Sequence, residues 1–103
     1  MHAYFMFGRY SQQSLKDISR RRTEEAVGVI ESFNGQVTAM YALLGQFDLV
    51  FIVNLPGNRE AMEASIALTR ATGIDFVTAP AFPVEHFDQM IERDLEKQAK
   101  NAV

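Results

Sequence analysis

The chain contains no cysteine, which excludes a disulfide frame, a thiolate nucleophile and a Cys-ligated zinc site. It also has little excess charge: 10 Lys and Arg stand against 13 Asp and Glu, for a net charge of −3. That balance argues against nucleic acid as a partner, since nucleic-acid binders carry a broad basic surface. The one basic run, Arg20-Arg21-Arg22, is too short to reverse it. No apolar stretch approaches the ~20 residues of a membrane-spanning helix, so a membrane partner is not expected. The stretch from Met1 to Gly8 lacks a basic lead and passes directly into alternating aromatics. It reads as a strand and not as a leader, which makes cytoplasm the default compartment. A Gly-rich phosphate loop, a Ser-His-Asp order and a haem-attachment motif are missing as well, and no cofactor is implied.

What is present fits one domain over residues 1–103. With 48% hydrophobic and 22% charged residues, the chain has enough apolar surface for a core without disulfides or metals. From Ala3 to Tyr10 nearly every residue is apolar or aromatic, as in a strand covered on both faces. Ser11 is placed to cap a helix whose pattern begins with Leu15 and Ile18 and continues through Arg22, Ala26, Val29, Ile30 and Phe33 at the three- and four-residue steps of one face. Ser19 and Thr23 are placed to cap a second piece, which predicts a break near 19–22. Asn34-Gly35 ends the helix. Val37–Leu44 and Phe47–Leu55 follow as strands, and Gly45-Gln46 between them predicts a two-residue type II′ hairpin. Pro56-Gly57-Asn58 is a turn with Asn58 as the expected cap, leading into a helix through Ala61, Ala64, Leu68 and Ala71 that Gly73 stops. Ile74–Phe82, with Pro80 and Pro83 lacking amide donors, reads as an edge strand. A last helix over Val84–Ala99 carries Val84, Phe87, Met90, Ile91 and Leu95 along one stripe.

The order is thus strand, helix, strand, strand, helix, strand and an added helix. With short connections and right-handed crossovers this is the α+β ferredoxin-like βαββαβ arrangement: a four-stranded antiparallel sheet with two helices on one face. Helices on one side leave the other side bare, and a bare face should alternate apolar and polar. The third strand does not alternate in that way, with Phe47, Leu49, Phe51, Val53 and Leu55 on one parity and Asp48, Val50, Ile52 and Asn54 on the other. The first strand divides likewise into Tyr4, Met6 and Tyr10 against Phe5 and Phe7. Both faces are apolar, so a second copy related by a two-fold axis is the expected partner. The alternative is that the last helix folds back over the open face.

The stretch from Tyr4 to Ile91 resembles the GYD-domain family of small bacterial and archaeal proteins. The resemblance rests on Arg9, on Ser11-Gln12-Gln13-Ser14-Leu15-Lys16-Asp17, on Gly45-Gln46-Phe47-Asp48-Leu49-Val50 and on Ala81-Phe82. The name-giving Gly-Tyr-Asp run is matched here by Gly45 and Phe47-Asp48 with Gln46 between. Ser14 stands where relatives commonly carry Gly, and Pro80 where a basic residue is frequent. The resemblance implies a dimeric α/β barrel of ferredoxin-like subunits and says little about chemistry.

Asp48, beside Phe47 at the head of an apolar strand, is the candidate catalytic or ligand-anchoring acid. Its other reading is a carboxylate that accepts backbone N–H groups and fixes the turn. Arg9 and Lys16 flank the first strand-to-helix turn and could hold a carboxylate or phosphate, or be solvated cations. Arg20, Arg21 and Arg22 read as a solvated helix face. Tyr4, Tyr10 and Tyr41 could line a pocket or simply pack. His2 and His86 lack any metal-binding spacing, so no metal site is expected. Arg9, Lys16, Tyr41, Phe47 and Asp48 make up the expected ligand-binding set. Three functions share this fold: a small-molecule-binding homodimer, a cofactor-independent enzyme of oxygenase or isomerase type with Asp48 as base, and a stand-alone effector or regulatory module.

Overall fold

Alternating burial along the first strand sets up the whole molecule. In the computed structural model, which describes residues 1–101, strand β1 (His2–Arg9) turns Tyr4, Met6 and Gly8 inward and leaves Phe5 and Phe7 half-buried on the opposite side. Its carboxyl end leads into two helices, α1 (Gln12–Lys16) and α2 (Arg20–Ser32), with the expected break between them. Ser11 caps α1 in a reciprocal box with Ser14, and the Ser19 hydroxyl accepts from the Arg22 amide at 3.1 Å to cap α2. The break rotates the first turn away from the core, so Leu15 and Ile18, read from periodicity as buried positions, are 56% and 57% exposed.

Strands β2 (Gln36–Ala42) and β3 (Leu49–Leu55), helix α3 (Asn58–Thr72) and strand β4 (Asp75–Ala81) complete a four-stranded sheet in the order β2-β3-β1-β4, with all three pairings antiparallel. This is the ferredoxin-like βαββαβ fold. β4 lies at an edge, where Pro80 costs no ladder bond beyond its single partner strand. A bulge between Val37 and Ala39 shifts the register of β2. It allows both Val37 and Met40, three positions apart, to pack on the same core.

Two local expectations are corrected. The β2–β3 connection is not a two-residue hairpin. The last rung is Leu43 N–H to Asp48 C=O at 2.8 Å, and residues 44–47 loop beyond it with Gly45 at φ 117° and Leu44 fully exposed. The Asp48 amide instead donates to the Gly8 carbonyl at 2.9 Å, tying the loop to β1 rather than closing it tightly on β2. Asn58 is not the cap of α3. Gly57 holds that position, and Asn58 Oδ1 is taken by the Tyr4 hydroxyl at 2.7 Å. Gly73, at φ 72°, closes α3 in the left-handed conformation as expected.

Both α2 and α3 cover one face. Their Ala26, Ile30, Ala61, Ala64 and Leu68 meet Tyr4, Met6, Phe51, Val53 and Leu55 of the strands. Gly35 sits where this layer is tightest: a Cβ there would lie 2.9 Å from the Asn54 carbonyl oxygen and 2.5 Å from Leu55. Because a backbone atom is among the obstacles, Gly35→Ala is expected to cost ~1–3 kcal/mol in urea unfolding. An unchanged midpoint would show that the backbone gives way.

No helix covers the other face. Register places Tyr41, Val50, Phe7 and Val77 in one row across it and Ala39, Ile52, Phe5 and Ala79 in the next. Helix α4 (Val84–Asn101) does not fold back over these rows: none of its residues is buried, and Val84, Phe87, Met90, Ile91 and Leu95 are all exposed. It projects from the sheet, giving extents of 62 × 30 × 18 Å and a radius of gyration of 17.2 Å. A compact chain of this length would have a radius of roughly 13 Å.

Candidate functional site

At the carboxyl end of β1, the β2–β3 loop folds over and brings Arg9, Phe47 and Asp48 together. Arg9 lies over the Phe47 ring at 5.4 Å, and its Nε and Nη2 donate to the Gln46 carbonyl at 3.2 and 3.0 Å. Phe47 stacks in turn on Phe7, with ring centroids 5.1 Å apart, at one margin of the bare face. The Arg9 guanidinium is therefore engaged by a carbonyl and an aromatic ring, both within the loop it helps to hold. Lys16 is remote from this group: it is exposed at the end of α1, beside Asp17 and Arg21. Tyr41 is 57% exposed on β2 and borders a separate cavity.

Asp48 Oδ2 accepts the Tyr10 amide at 2.8 Å. That bond spans the point where β1 ends and its ladder partners run out, and it supports the anchoring reading of this carboxylate. Asp48→Ala is expected to leave the Tyr10 amide without its partner and cost ~1–3 kcal/mol of unfolding free energy, whereas Asp48→Asn, which keeps an oxygen acceptor, should cost clearly less. A general base would give a different result, with Asp48→Asn abolishing turnover at unchanged stability.

The cavity beside Tyr41 lies between the amino end of α2 and the sheet. It has a volume of about 200 Å³, and Tyr10, Arg22, Met40, Phe51 and Ile74 are among its walls. Its most unexpected member is Arg22. Read from sequence as part of a solvated face, Arg22 is 9% exposed, while Arg20 and Arg21 remain in solvent. The correction follows from helix geometry. Once Ser19 caps α2, Arg22 falls four and eight residues before Ala26 and Ile30, on the stripe that faces the sheet. Its Nη1 donates to the Ser14 carbonyl, and its guanidinium carbon lies 5.4 Å from the Tyr10 ring. The periodicity held that signal, and the charge obscured it.

Of the remaining tyrosines, Tyr10 lines this cavity, and Tyr4 is buried under α3 with its hydroxyl on Asn58. His2 and His86 are both exposed, near the chain's other end of the sheet. Among the described residues no group of three His, Asp or Glu side chains is placed to hold a metal ion, and no helix is long and apolar enough to cross a membrane.

A ferredoxin-like sheet with a small cavity beneath one helix is a scaffold common to many binding domains and enzymes. The GYD domain family matches residues 4–91, and the chain belongs to that family. No curated protein matches it. Solved structures share its fold, two regulatory proteins among them. One is the leucine response regulatory protein of Mycobacterium tuberculosis, at 11% identity and a TM-score of 0.54, covering 80% of this chain and 51% of that one. The other is an AsnC family transcriptional regulator from Agrobacterium tumefaciens, at 18% identity and a TM-score of 0.54, covering 79% of this chain and 50% of that one. This chain thus spans about half the length of each.

Proposed function

We propose that this protein is a small-molecule-binding domain that acts as a homodimer, with the ligand entering the cavity between α2 and the sheet. The observation that carries the reading is that cavity, about 200 Å³ with a mainly apolar floor and a few polar groups at its rim. Binding sites have this mixture of apolar wall and convergent polar groups, and the small volume favours a ligand well below drug size. Native mass spectrometry of freshly purified protein tests it. The expected result is a bound species of low mass, or saturable uptake of small organic probes; a cavity that stays empty against a broad probe set would refute the reading.

The bare sheet face supports the homodimer. The chain exposes 7444 Å², against roughly 5,800 Å² for a folded monomer of its mass. The excess of about 1,600 Å² per chain, to which the projecting α4 contributes along with the sheet face, is more than the ~800 Å² that each partner contributes to a standard interface. A second copy placed face to face would cover Phe5, Phe7 and Ile52, and leave the stripe of α4 free to pack against the same partner.

A second reading, an effector or regulatory module that works through another protein, draws support from the fold shared with about half of a leucine response regulatory protein and of an AsnC family transcriptional regulator. Recovery of one stoichiometric partner with the tagged chain would favour it. The enzyme reading, with Asp48 as base, rests on the Asp48→Asn result described above.

A further inference from the structure

Arg22 carries a full positive charge into the wall of the cavity, and the fold supplies no counter-ion. Among the described residues the one ion pair is Arg59 with Glu63, on the surface of α3. Asp17 and Glu25 lie with Arg22 along the outer groove by α1, yet neither carboxylate comes within ion-pair distance of the guanidinium. The partners it does have, the Ser14 carbonyl and the Tyr10 ring, are neutral. A guanidinium presents five N–H donors, and the Ser14 carbonyl is the single hydrogen-bond acceptor found for it. No buried nitrogen of the described chain lacks a partner, so the donors that Ser14 leaves free reach accessible space, and Arg22 borders both the cavity and the outer groove. A charge held nine-tenths out of water without a counter-ion is costly, so a ligand that neutralised it would be favoured there.

We infer that the cavity is a carboxylate-binding site, in which Arg22 takes the carboxylate of a small organic acid and the apolar floor takes its hydrocarbon end. The inference rests on the binding reading above and deepens it by naming the ligand class. Arginine is suited to the task because its planar fork matches a carboxylate with two parallel N–H···O bonds. Below the guanidinium, Ala26, Met40, Phe51 and Ile74 offer hydrocarbon and no charge. The hydroxyls of Ser19 and Thr23, with the positive end of α2, lie on the polar side of the same space. Inorganic phosphate would satisfy the cation but not the floor. A neutral compound would satisfy the floor but leave the cation uncompensated.

Titration calorimetry on the full chain tests this with 4-methylpentanoate and phenylacetate, the primary amide of each, and inorganic phosphate as probes. Each acid is expected to bind at least about tenfold more tightly than its amide, a ratio read on the unaltered protein. Arg22→Gln should remove that preference, bringing acid and amide to similar affinity, and Arg22→Lys should keep part of it. Thermal unfolding of both variants shows whether they remain folded; if Arg22→Gln does not, the acid-to-amide ratio and Arg22→Lys still decide. Equal binding of acid and amide, or binding of phosphate alone, would overturn the ligand class while leaving a binding domain in place. Failure of every probe, together with an empty cavity in native mass spectrometry, would overturn both.

Discussion

Ile52→Lys is expected to convert a sedimenting dimer into a monomer, or into a poorly soluble species, at micromolar concentration. Ile52 sits on central strand β3, paired with Phe5 on one side and Ala39 on the other, in the middle of the bare face. In an isolated chain the side chain is only half-buried, so a lysine there would extend into water at little cost to the monomer. Between two sheets packed face to face, the same charge would have to be desolvated without a partner, at a cost of several kcal/mol in each copy. The contrast makes the experiment decisive. Analytical ultracentrifugation of the unaltered protein should give about twice the chain mass of 11.6 kDa, and the variant should give the chain mass. A well-behaved monomer for the unaltered protein would refute the assembly outright. A homodimer should also melt at a temperature that rises with protein concentration, since dissociation accompanies unfolding.

The second large effect concerns α2, which roofs the cavity. Ile30 is fully buried, lies on the same stripe as Arg22 and Ala26, and packs into the cluster centred on Met6, Val53 and Leu55. Ile30→Ala removes methylene and methyl groups from a site walled by both strands and helix, so the surroundings can collapse only partly. The expected loss is ~2–5 kcal/mol, the range measured for such truncations. For a domain of this size that corresponds to a melting point lower by roughly 10–30 °C. Chemical unfolding should show an unchanged slope with denaturant and a lower midpoint, and a loss below ~1 kcal/mol would mean that α2 is not anchored as described. Leu15→Ala, on the exposed side of α1, serves as the matched control and should fall within about 0.5 kcal/mol.

How much of this could be read beforehand divides by the range of the interactions concerned. The break between α1 and α2 was legible because Ser11 and Ser19 cap their own helices through bonds to amides three residues on. The left-handed end of α3 at Gly73 was legible because glycine takes a positive φ without strain. That β2 and β3 are joined through Gly45 was legible too, yet the length and shape of the connection were not. Asp48 directs its amide to Gly8 and its carboxylate to the Tyr10 amide, partners roughly forty positions earlier in the chain. The candidate set separated accordingly: Arg9, Phe47 and Asp48 converge on one loop, Tyr41 borders a cavity next to it, and Lys16 lies apart.

By itself the sequence determined the order of elements, the helices' single coverage of the sheet and the apolar character of the face they leave, because each follows from periodicities of two or of about 3.6 residues and from local caps. Only the tertiary structure decided which charges come inside. Arg22 is carried inward with the stripe it belongs to, α4 is carried outward with its own stripe uncovered, and neither outcome is written in any one segment. Burial is a property of what lies opposite a residue, and what lies opposite is brought there by the rest of the chain.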